Sequence, residues 1–205
     1  MDAKNDCLEL KKKLRKEIKN CLAAIPPLIP EYSFRICNLI IKSELYKSSE
    51  TLLAYMALPD EVDLQALINQ AVLDGKNVYV PKVILGTSDM AFYPYSDSAS
   101  FCKGAFGIME PASGDGLYDL NEAGKKIKKT LIMVPGRAFS NDGSRLGRGK
   151  AFYDSFLSKA REKLCGNVFF CGVGFSVQFL DALPLESHDI KMDILVNENR
   201  LFAAK

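Results

Sequence analysis

The 205-residue sequence lacks several features that identify whole classes of protein. It has one histidine, His188, and its six cysteines form no Cys-x-x-Cys pair, so a zinc site built from cysteine and histidine is not expected. The net charge is only +2, whereas proteins that bind nucleic acids or anionic membranes usually carry a clustered basic excess. We therefore expect no nucleic-acid partner and no membrane partner.

The sequence also lacks long apolar segments. No stretch approaches the roughly 20 apolar residues that span a bilayer, and the charged N-terminus through Lys19 does not have the pattern of a secretory signal. The cysteines at positions 7, 21, 37, 102, 165 and 171 lie mostly in apolar runs, which is typical of reduced cysteines in a core. We expect a cytoplasmic monomer with a single domain over residues 1–205.

Apolar residues make up 48% of the chain, a share typical of folded domains, and their spacing alternates between helical and extended segments. Such alternation predicts an α/β fold in which a mostly parallel sheet carries helices on both faces. Helices are predicted at residues 8–25, 34–46, 60–73 and 151–161, and strands at residues 51–58, 77–80, 90–95, 131–134 and 168–175.

More detailed predictions concern the ends and faces of these helices. Asp60 is expected to cap the third helix, and Gly75 to follow its last turn, where a positive φ is common. Residues 81–127 form a long connection that is expected to be a rim over the site, and the lysines at positions 125–129 are expected on a solvated helix end. The buried face of the second helix is predicted to consist of Phe34, Cys37, Ile41 and Leu45.

The stretch from Val134 to Asp154 carries the most informative chemistry, because it links a predicted strand to a predicted helix. In open α/β sheets, ligands bind at such positions. Glycines at positions 143, 147 and 149 let the backbone approach a ligand closely. Positive charge for a phosphate group comes from Arg145, Arg148 and Lys150, together with the N–H groups at the start of the helix. The composition therefore favours a phosphate-binding loop.

The loop does not fit the two common phosphate-binding motifs. Gly143 is one residue too far from Gly149–Lys150 for a Walker A loop, in which Ala151 would also have to be Ser or Thr. Phe152 occupies the place of the third glycine in Gly-x-Gly-x-x-Gly. Taken alone, the loop is equally compatible with a solvated turn. Asp154, four positions after Lys150, is compatible with a magnesium ligand or with a surface ion pair to Lys150.

The same stretch resembles, almost residue for residue, the signature of the 5-formyltetrahydrofolate cyclo-ligase family, also called methenyltetrahydrofolate synthetases. Other parts of the chain resemble this family in the same order, so the resemblance covers nearly the whole sequence. The additional matching blocks are Lys11–Arg15, Leu58–Asp63, a Gly-x-x-Gly-Ile-x-Glu-Pro pattern over Gly104–Pro111, Gln178, Leu183–Pro184, and His188–Asp189 with Asp193.

The resemblance implies a fold and a reaction. The fold is a three-layer sandwich with a mostly parallel central sheet, similar to the ribose-phosphate isomerase and CoA-transferase-like fold. The reaction is the ATP- and Mg²⁺-dependent closure of 5-formyltetrahydrofolate to 5,10-methenyltetrahydrofolate, with release of ADP and phosphate. In that reaction the formyl oxygen is phosphorylated and N10 then attacks the formyl carbon. The implied ligands are therefore 5-formyltetrahydrofolate, ATP and Mg²⁺.

The resemblance also implies roles for individual residues. Arg148 and Lys150 are the implied catalytic residues, and Asp154 and Asp189 the implied magnesium ligands. The implied substrate-binding residues are Met56, Glu61, Arg148, Gly149, Lys150, Ala151 and Phe152. The implied ATP-binding residues are Lys11, Lys12, Lys13, Leu14, Arg15, Arg145, Leu146, Gly147, Arg148, Gly149, Lys150, Ala151, Phe152 and Tyr153.

Some of these positions have simpler interpretations. Lys11–Arg15 is also compatible with the polar face of a helix, Glu61 with an acid in the first turn of a helix, and Met56 with the core. His188 is interpreted as a structural residue rather than a general base. The sequence departs from the family at three positions, which are Ala151 in place of glycine, Phe152 in place of tyrosine, and Asn197 in place of threonine.

Two rival functions remain compatible with the sequence. One is an isomerase or acyl-CoA transferase of similar fold that uses the glycine-basic loop for an anionic substrate without hydrolysing ATP. The other is a nucleic-acid-binding module that uses the basic clusters at residues 11–19, 125–129 and 145–150, whose affinity would fall steeply with salt.

Overall fold

A seven-stranded sheet forms the centre of the computed structural model, which describes residues 3–84, 86–87, 89–95, 101–104, 109–111, 116–126, 128–186 and 189–205. The strands are β1 (Thr51–Leu53), β2 (Asn77–Val83), β3 (Met90–Pro94), β4 (Phe101–Lys103), β5 (Met109–Pro111), β6 (Thr130–Pro135), β7 (Ala138–Ser140), β8 (Arg145–Leu146), β9 (Val168–Val173), β10 (Phe179–Leu180), β11 (Ile194–Val196) and β12 (Leu201–Ala203). The helices are α1 (Ala3–Leu22), α2 (Ile29–Lys42), α3 (Glu44–Ser48), α4 (Gln65–Leu73), α5 (Leu120–Gly124) and α6 (Phe152–Leu164), with short 3-10 helices at Pro26–Leu28 and Ser176–Gln178.

The central sheet has the order β12-β11-β9-β6-β1-β2-β3. The five inner strands pair in parallel, and the edge strands β3 and β12 pair antiparallel with their neighbours. Two smaller sheets accompany it, one formed by β10, β7 and β8 and one by the β4–β5 hairpin. The predicted α/β fold with a mostly parallel sheet is therefore confirmed.

Alternate residues of β6 face opposite sides of the central sheet. Leu131 and Met133 pack in the core that includes residues of α2 and α4, whereas Ile132 and Val134 pack in the core that includes residues of α6. Both faces of the strand are thus covered, which is why its sequence is continuously apolar rather than alternating. The predicted helical layers on both faces are confirmed.

The second helix differs from its prediction. It begins at Ile29, five residues earlier than expected, ends at Lys42, and is followed by the separate helix α3. Its buried face consists of Ser33, Ile36, Cys37 and Ile40, whereas Phe34 is 61% exposed. The prediction is confirmed for Cys37 and wrong for Phe34, while Ile41 and Leu45 are partly buried and pack against the core. Ser33 is accommodated in the buried face because its hydroxyl accepts a hydrogen bond from Asp63 N.

The segment after β1 also differs from its prediction. The strand ends at Leu53 and not at residue 58, and α4 begins at Gln65 after Leu64. Asp60 therefore does not cap this helix, because its carboxylate is bound by arginines from elsewhere in the chain. Gly75 follows α4 with a φ of +72°, as predicted.

The cysteine prediction is confirmed in part. All six cysteines are free thiols, and Cys37 and Cys171 are buried in the core. Burial raises the pKa of Cys37 to about 11 and that of Cys171 to about 12, so both thiols are protonated and unreactive at neutral pH. Cys21, Cys102 and Cys165 are exposed, so the prediction of a core position was wrong for these three.

The carboxyl ends of β1 and β6 lie side by side, since the two strands pair in parallel with Leu53 opposite Ile132. Tyr55 and Met56 follow β1, and Gly136 follows β6, so these residues meet at one edge of the sheet. The β7–β8 hairpin then delivers the glycine-basic loop to the same edge. Among the described residues, no helix combines the length and apolar character needed to cross a membrane.

Candidate active site

A cavity of about 540 Å³ opens at this edge of the sheet. Its wall combines residues that are far apart in the sequence, from α1, the turn after β1, strands β2, β3 and β5, the glycine-basic loop, and the segment after β10. The lining residues are Leu8, Lys11, Arg15, Tyr55, Met56, Leu58, Glu61, Pro81, Val83, Met90, Glu110, Pro135, Gly136, Arg145, Leu146, Gly147, Arg148, Gly149, Lys150, Ala151, Phe152, Tyr153, Asp154, Glu186 and Asp189.

The glycine-basic loop turns sharply before it enters α6. Gly149 has a φ of +90° and Ala151 a φ of +57°, so two residues of this turn adopt the left-handed conformation. Such a conformation is ordinary for glycine but costs an alanine about 1 to 2 kcal/mol. The turn brings the backbone of Gly149 against the guanidinium of Arg15 and opens the first turn of α6 towards the cavity.

Arg145 lies at the base of this loop and is 7% exposed. Its Nη2 donates a 2.7 Å hydrogen bond to Asp154 Oδ1, and its Nη1 donates a 3.3 Å hydrogen bond to Pro135 O. Two further polar atoms here, Arg145 Nε and the hydroxyl of Tyr153, are buried without a partner among the described residues. Both side chains line the cavity, and each carries a donor that no described residue uses.

Helix α1 contributes a second group of charges. Lys11 is 5% exposed, and its Nζ lies 2.8 Å from Glu186 Oε2 and 2.7 Å from Asp189 Oδ2. Burial alone would lower the pKa of Lys11, but the hydrogen bonds to the two carboxylates outweigh it and raise the pKa. Arg15, one turn further along, donates a 2.8 Å hydrogen bond from Nε to Gly147 O. The helix is thereby attached to the glycine-basic loop.

A third group of charges surrounds Arg148. Its Nε and Nη2 donate to Glu61 Oε1 at 3.0 and 2.8 Å, and Nη2 also donates to Asp60 Oδ1 at 2.6 Å. Asp60 binds Arg137 as well. Burial alone would raise the pKa of Asp60, but the hydrogen bonds from Arg137 and Arg148 outweigh it, and the pKa lies below its usual value. Arg148 thus connects the loop to the turn after β1.

The structure brings most of the predicted site residues together in this cavity, but three lie elsewhere. Lys12 and Lys13 have side chains that are 77% and 73% exposed and pair with Glu9 and Glu17 on the same helix. Leu14 packs against the apolar core. Their predicted contact with ATP therefore has no support from their positions.

The two predicted metal ligands line the same cavity, and each is held by a cation. Asp154 accepts a hydrogen bond from Arg145, so the alternative ion pair with Lys150 is not observed, and Asp189 accepts one from Lys11. The described residues contain no cluster of three or more His, Cys, Asp or Glu side chains. His188 lies outside the described residues.

Sequence reasoning missed four charged residues of the site, and the sequence signal that could have identified each of them is different. Asp60 was interpreted as a helix cap, and Arg137 was given no role although it lies in the informative stretch. Glu186 lies between the matched blocks Leu183–Pro184 and His188–Asp189, so the resemblance implies no role for it. Glu110 belongs to the matched Gly-x-x-Gly-Ile-x-Glu-Pro pattern, for which the resemblance implies no residue roles.

Comparison with known proteins gives one consistent result. Residues 8–198 match the model of the 5-formyltetrahydrofolate cyclo-ligase family. A Schizosaccharomyces pombe protein named "Probable 5-formyltetrahydrofolate cyclo-ligase" is 31% identical over 85% of this chain and 87% of its own length. The mouse 5-formyltetrahydrofolate cyclo-ligase is 26% identical over 92% of this chain and 94% of its own. The solved structure of Aquifex aeolicus 5,10-methenyltetrahydrofolate synthetase superposes with a TM-score of 0.78 and 29% identity, covering 96% of this chain and 93% of that one.

Proposed function

The chain belongs to the 5-formyltetrahydrofolate cyclo-ligase family, and we propose that the cavity is where it converts 5-formyltetrahydrofolate to 5,10-methenyltetrahydrofolate at the expense of ATP. The observation that carries this proposal is the convergence of Lys11, Arg15, Arg145, Arg148 and Lys150 on one cavity. A triphosphate needs several cations, and these come from two separate parts of the chain. We also propose that the enzyme is a single-domain, cytoplasmic monomer.

The chemistry explains the requirement for ATP. The N5-formyl group is an amide, so its carbon is a poor electrophile and its oxygen a poor leaving group. Transfer of the γ-phosphoryl group to this oxygen releases ADP and corrects both defects. N10 of the same molecule then attacks the formyl carbon, loses its proton, and phosphate departs. Because this attack is intramolecular, most of the entropic cost of a bimolecular step is avoided.

The protein's contribution is to hold the phosphoryl group and neutralise the charge that moves with it. Arg145 and Lys11 are nearly buried, so their charges act in a region with little water to screen them. The free Nε of Arg145 and the hydroxyl of Tyr153 are donors suited to phosphate oxygens. Arg148 and Lys150 are exposed at the mouth of the cavity, where they are suited to the transferred group.

The residues present also fit a magnesium ion. Mg²⁺ is usually held by one or two carboxylates, with the remaining ligands supplied by water and substrate phosphates, and Asp154 and Asp189 supply two carboxylates in the cavity. Bound there with ATP, the ion would neutralise phosphate charge. Arg145 and Lys11 hold these two carboxylates at the cavity wall.

The folate substrate needs an apolar surface as well as the phosphate region. Met56 and Phe152 line the cavity and offer such a surface. Phe152, in place of the family's usual tyrosine, retains the ring but cannot donate a hydroxyl hydrogen bond. Glu61 has both carboxylate oxygens engaged, one by Leu58 N and the other by Arg148. We therefore assign Glu61 the role of holding Arg148 over the substrate.

One assay tests the reaction directly. The purified protein is mixed with 5-formyltetrahydrofolate, ATP and Mg²⁺, and the absorbance of the methenyl product is followed. We expect product and ADP in equal amounts, and no product when ATP is omitted. Product formation without ATP, or no product with all three components present, would contradict the proposal.

A further inference from the structure

Glu110 is a buried carboxylate in the cavity wall for which the reaction described above has no use. It is 4% exposed and lies in the short strand β5, where it pairs with Cys102 of the β4–β5 hairpin. Val83 from β2 contacts Glu110 through its N–H and pairs with Met90 from β3, and both residues line the cavity. A charged side chain in such an apolar part of the cavity is costly unless a partner compensates for the lost hydration.

The described residues provide little of that compensation. Glu110 Oε1 accepts one long hydrogen bond of 3.4 Å from Val83 N. Glu61, another acid in the lining, is by contrast bound at both oxygens by closer donors. An ionised carboxylate has about four acceptor sites, and among the described residues the bond from Val83 N is the one hydrogen bond that the Glu110 carboxylate accepts.

The hairpin is built to seat this carboxylate. Gly104 directly follows β4, and a Cβ atom at this position would overlap the carboxylate of Glu110. A glycine is therefore required wherever this acid adopts the observed position. This explains in physical terms why glycine and glutamate occur together in the Gly-x-x-Gly-Ile-x-Glu-Pro pattern, which the phosphate chemistry does not explain.

We propose that Glu110 binds the pterin ring of 5-formyltetrahydrofolate by accepting hydrogen bonds from the ring N3–H and the 2-amino group. This inference rests on the proposed function, since it assumes that the folate occupies the cavity. N3–H and the 2-amino group form two adjacent donors on one edge of the ring, and a carboxylate accepts from such a pair with both oxygens. Val83, whose N–H contacts Glu110, and Met90, which pairs with Val83, line the same cavity and would supply apolar contact to the faces of the ring.

The same geometry discriminates against the other heterocycle in the reaction. Adenine presents an acceptor, N1, beside its 6-amino donor, so a carboxylate placed against that edge would face a lone pair. Glu110 thereby reserves this part of the cavity for the folate, and the nucleotide is directed to the cations of α1 and the glycine-basic loop.

The test compares two ligands and two proteins. Binding of 5-formyltetrahydrofolate and of its 2-desamino analogue is measured by calorimetry for the wild type and for Glu110→Gln. Hydrogen bonds to a charged group are worth roughly 10- to 100-fold in affinity. We expect the analogue to bind the wild type that much more weakly than the substrate, and the variant to bind both ligands with nearly equal affinity. Discrimination that is unchanged in the variant would overturn the proposal.

Steady-state kinetics give an independent readout. Glu110→Gln is expected to raise the KM for 5-formyltetrahydrofolate roughly 10- to 100-fold with the KM for ATP within about twofold of the wild type. Glu31→Gln, which changes an acid in the exposed first turn of α2, is the matched control and should leave both KM values unchanged. An unchanged folate KM in Glu110→Gln would show that this acid only supports the hairpin.

Two features keep this test separate from that of the reaction. If the wild type forms no methenyl product, the proposed function fails, whereas an active wild type that does not discriminate against the 2-desamino analogue overturns only the role of Glu110. The wild-type comparison needs no variant, so it remains decisive if Glu110→Gln does not fold.

Discussion

Arg145 and Asp154 form a 2.7 Å ion pair between the base of the glycine-basic loop and the first turn of α6. The side chain of Arg145 is 4% exposed and that of Asp154 is 19% exposed, so the pair is largely withdrawn from water. Neither charge can be removed alone without leaving the other poorly solvated. The pair therefore serves both the stability of the loop and the proposed magnesium site.

The variant Asp154→Asn and a double variant together separate these two consequences. It leaves the Arg145 guanidinium nearly buried without a counter-ion, so the free energy of unfolding in urea should fall by about 2 to 3 kcal/mol, and activity should be lost. The double variant Arg145→Met/Asp154→Leu should recover most of the stability but none of the activity. Surface substitutions usually change the free energy of unfolding by no more than about 0.5 kcal/mol. A change of only about this size for Asp154→Asn would contradict the interpretation.

Neighbouring lysines on α1 offer a matched comparison. Lys11 is buried against Glu186 and Asp189, whereas Lys12 is exposed and paired only within its helix. Lys11→Met should raise the KM for ATP at least about tenfold, because it removes a cation in a region of weak screening. Lys12→Met should leave the KM within about twofold. Equal effects of the two substitutions would show that α1 does not contact ATP through Lys11.

The two exposed cations of the loop are the candidates for direct catalysis. Arg148→Ala and Lys150→Ala are each to be measured at saturating ATP and folate, so that kcat reports the chemical step. In other phosphoryl-transfer enzymes a single well-placed arginine contributes roughly 10³ to 10⁵ in rate, and we expect a loss of this order for at least one of the two variants. Near-normal turnover of both would refute the catalytic assignment.

The sequence was sufficient to predict the elements whose signal is local. The apolar run of β6 and the glycine at position 75 behave as their residue types require. The position of Phe34 and the role of Asp60 were wrong, because each depends on contacts with distant parts of the chain. Phe34 is as apolar as Ile36, and only the packed structure decides which of them meets the sheet.

The residues of the candidate site also fall into those with a local sequence signal and those placed by long-range contacts. The glycine-basic loop is contiguous, so its residue types and its order along the chain identified it. The pairing of Lys11 with Glu186 and Asp189 joins residues 175 and 178 positions apart, and no local pattern encodes it. Lys12 and Lys13 could not be separated from Lys11 by composition, because the three differ only in the direction in which each side chain leaves the helix.

The carboxylate of Asp60 predicts a pH dependence of stability. Its pKa is lowered in the folded protein, so the stabilisation is present above the unfolded value of about 3.9 and is lost as the pH falls through the folded value. Urea unfolding of the wild type and Asp60→Asn should therefore differ by a constant amount above about pH 5, and the difference should shrink below about pH 4. If the difference in free energy of unfolding between the two proteins instead grew as the pH fell, the lowered pKa of Asp60 would be contradicted.

The left-handed conformation of Ala151 predicts a stabilising substitution. Ala151→Gly removes a strain of about 1 to 2 kcal/mol but increases the freedom of the unfolded chain, so a net gain of about 0.5 to 1 kcal/mol is expected in urea unfolding. Ala66→Gly, at an exposed position of the regular helix α4, is the matched control and should destabilise by up to about 1 kcal/mol. Destabilisation by both changes would show that Ala151 is not strained.

On the proposed function, binding of ATP would replace the carboxylate partners of the cations in the cavity by phosphate groups. Lys11, Arg145 and Arg148 are already matched with Asp189, Asp154 and Glu61, so a polyphosphate that binds them replaces internal carboxylates and not a loose layer of solution ions. Its affinity should respond less to added salt than that of an open basic patch of equal charge. On the proposed function, the same exchange would release Asp154 and Asp189 for a divalent cation, so nucleotide and metal would bind together.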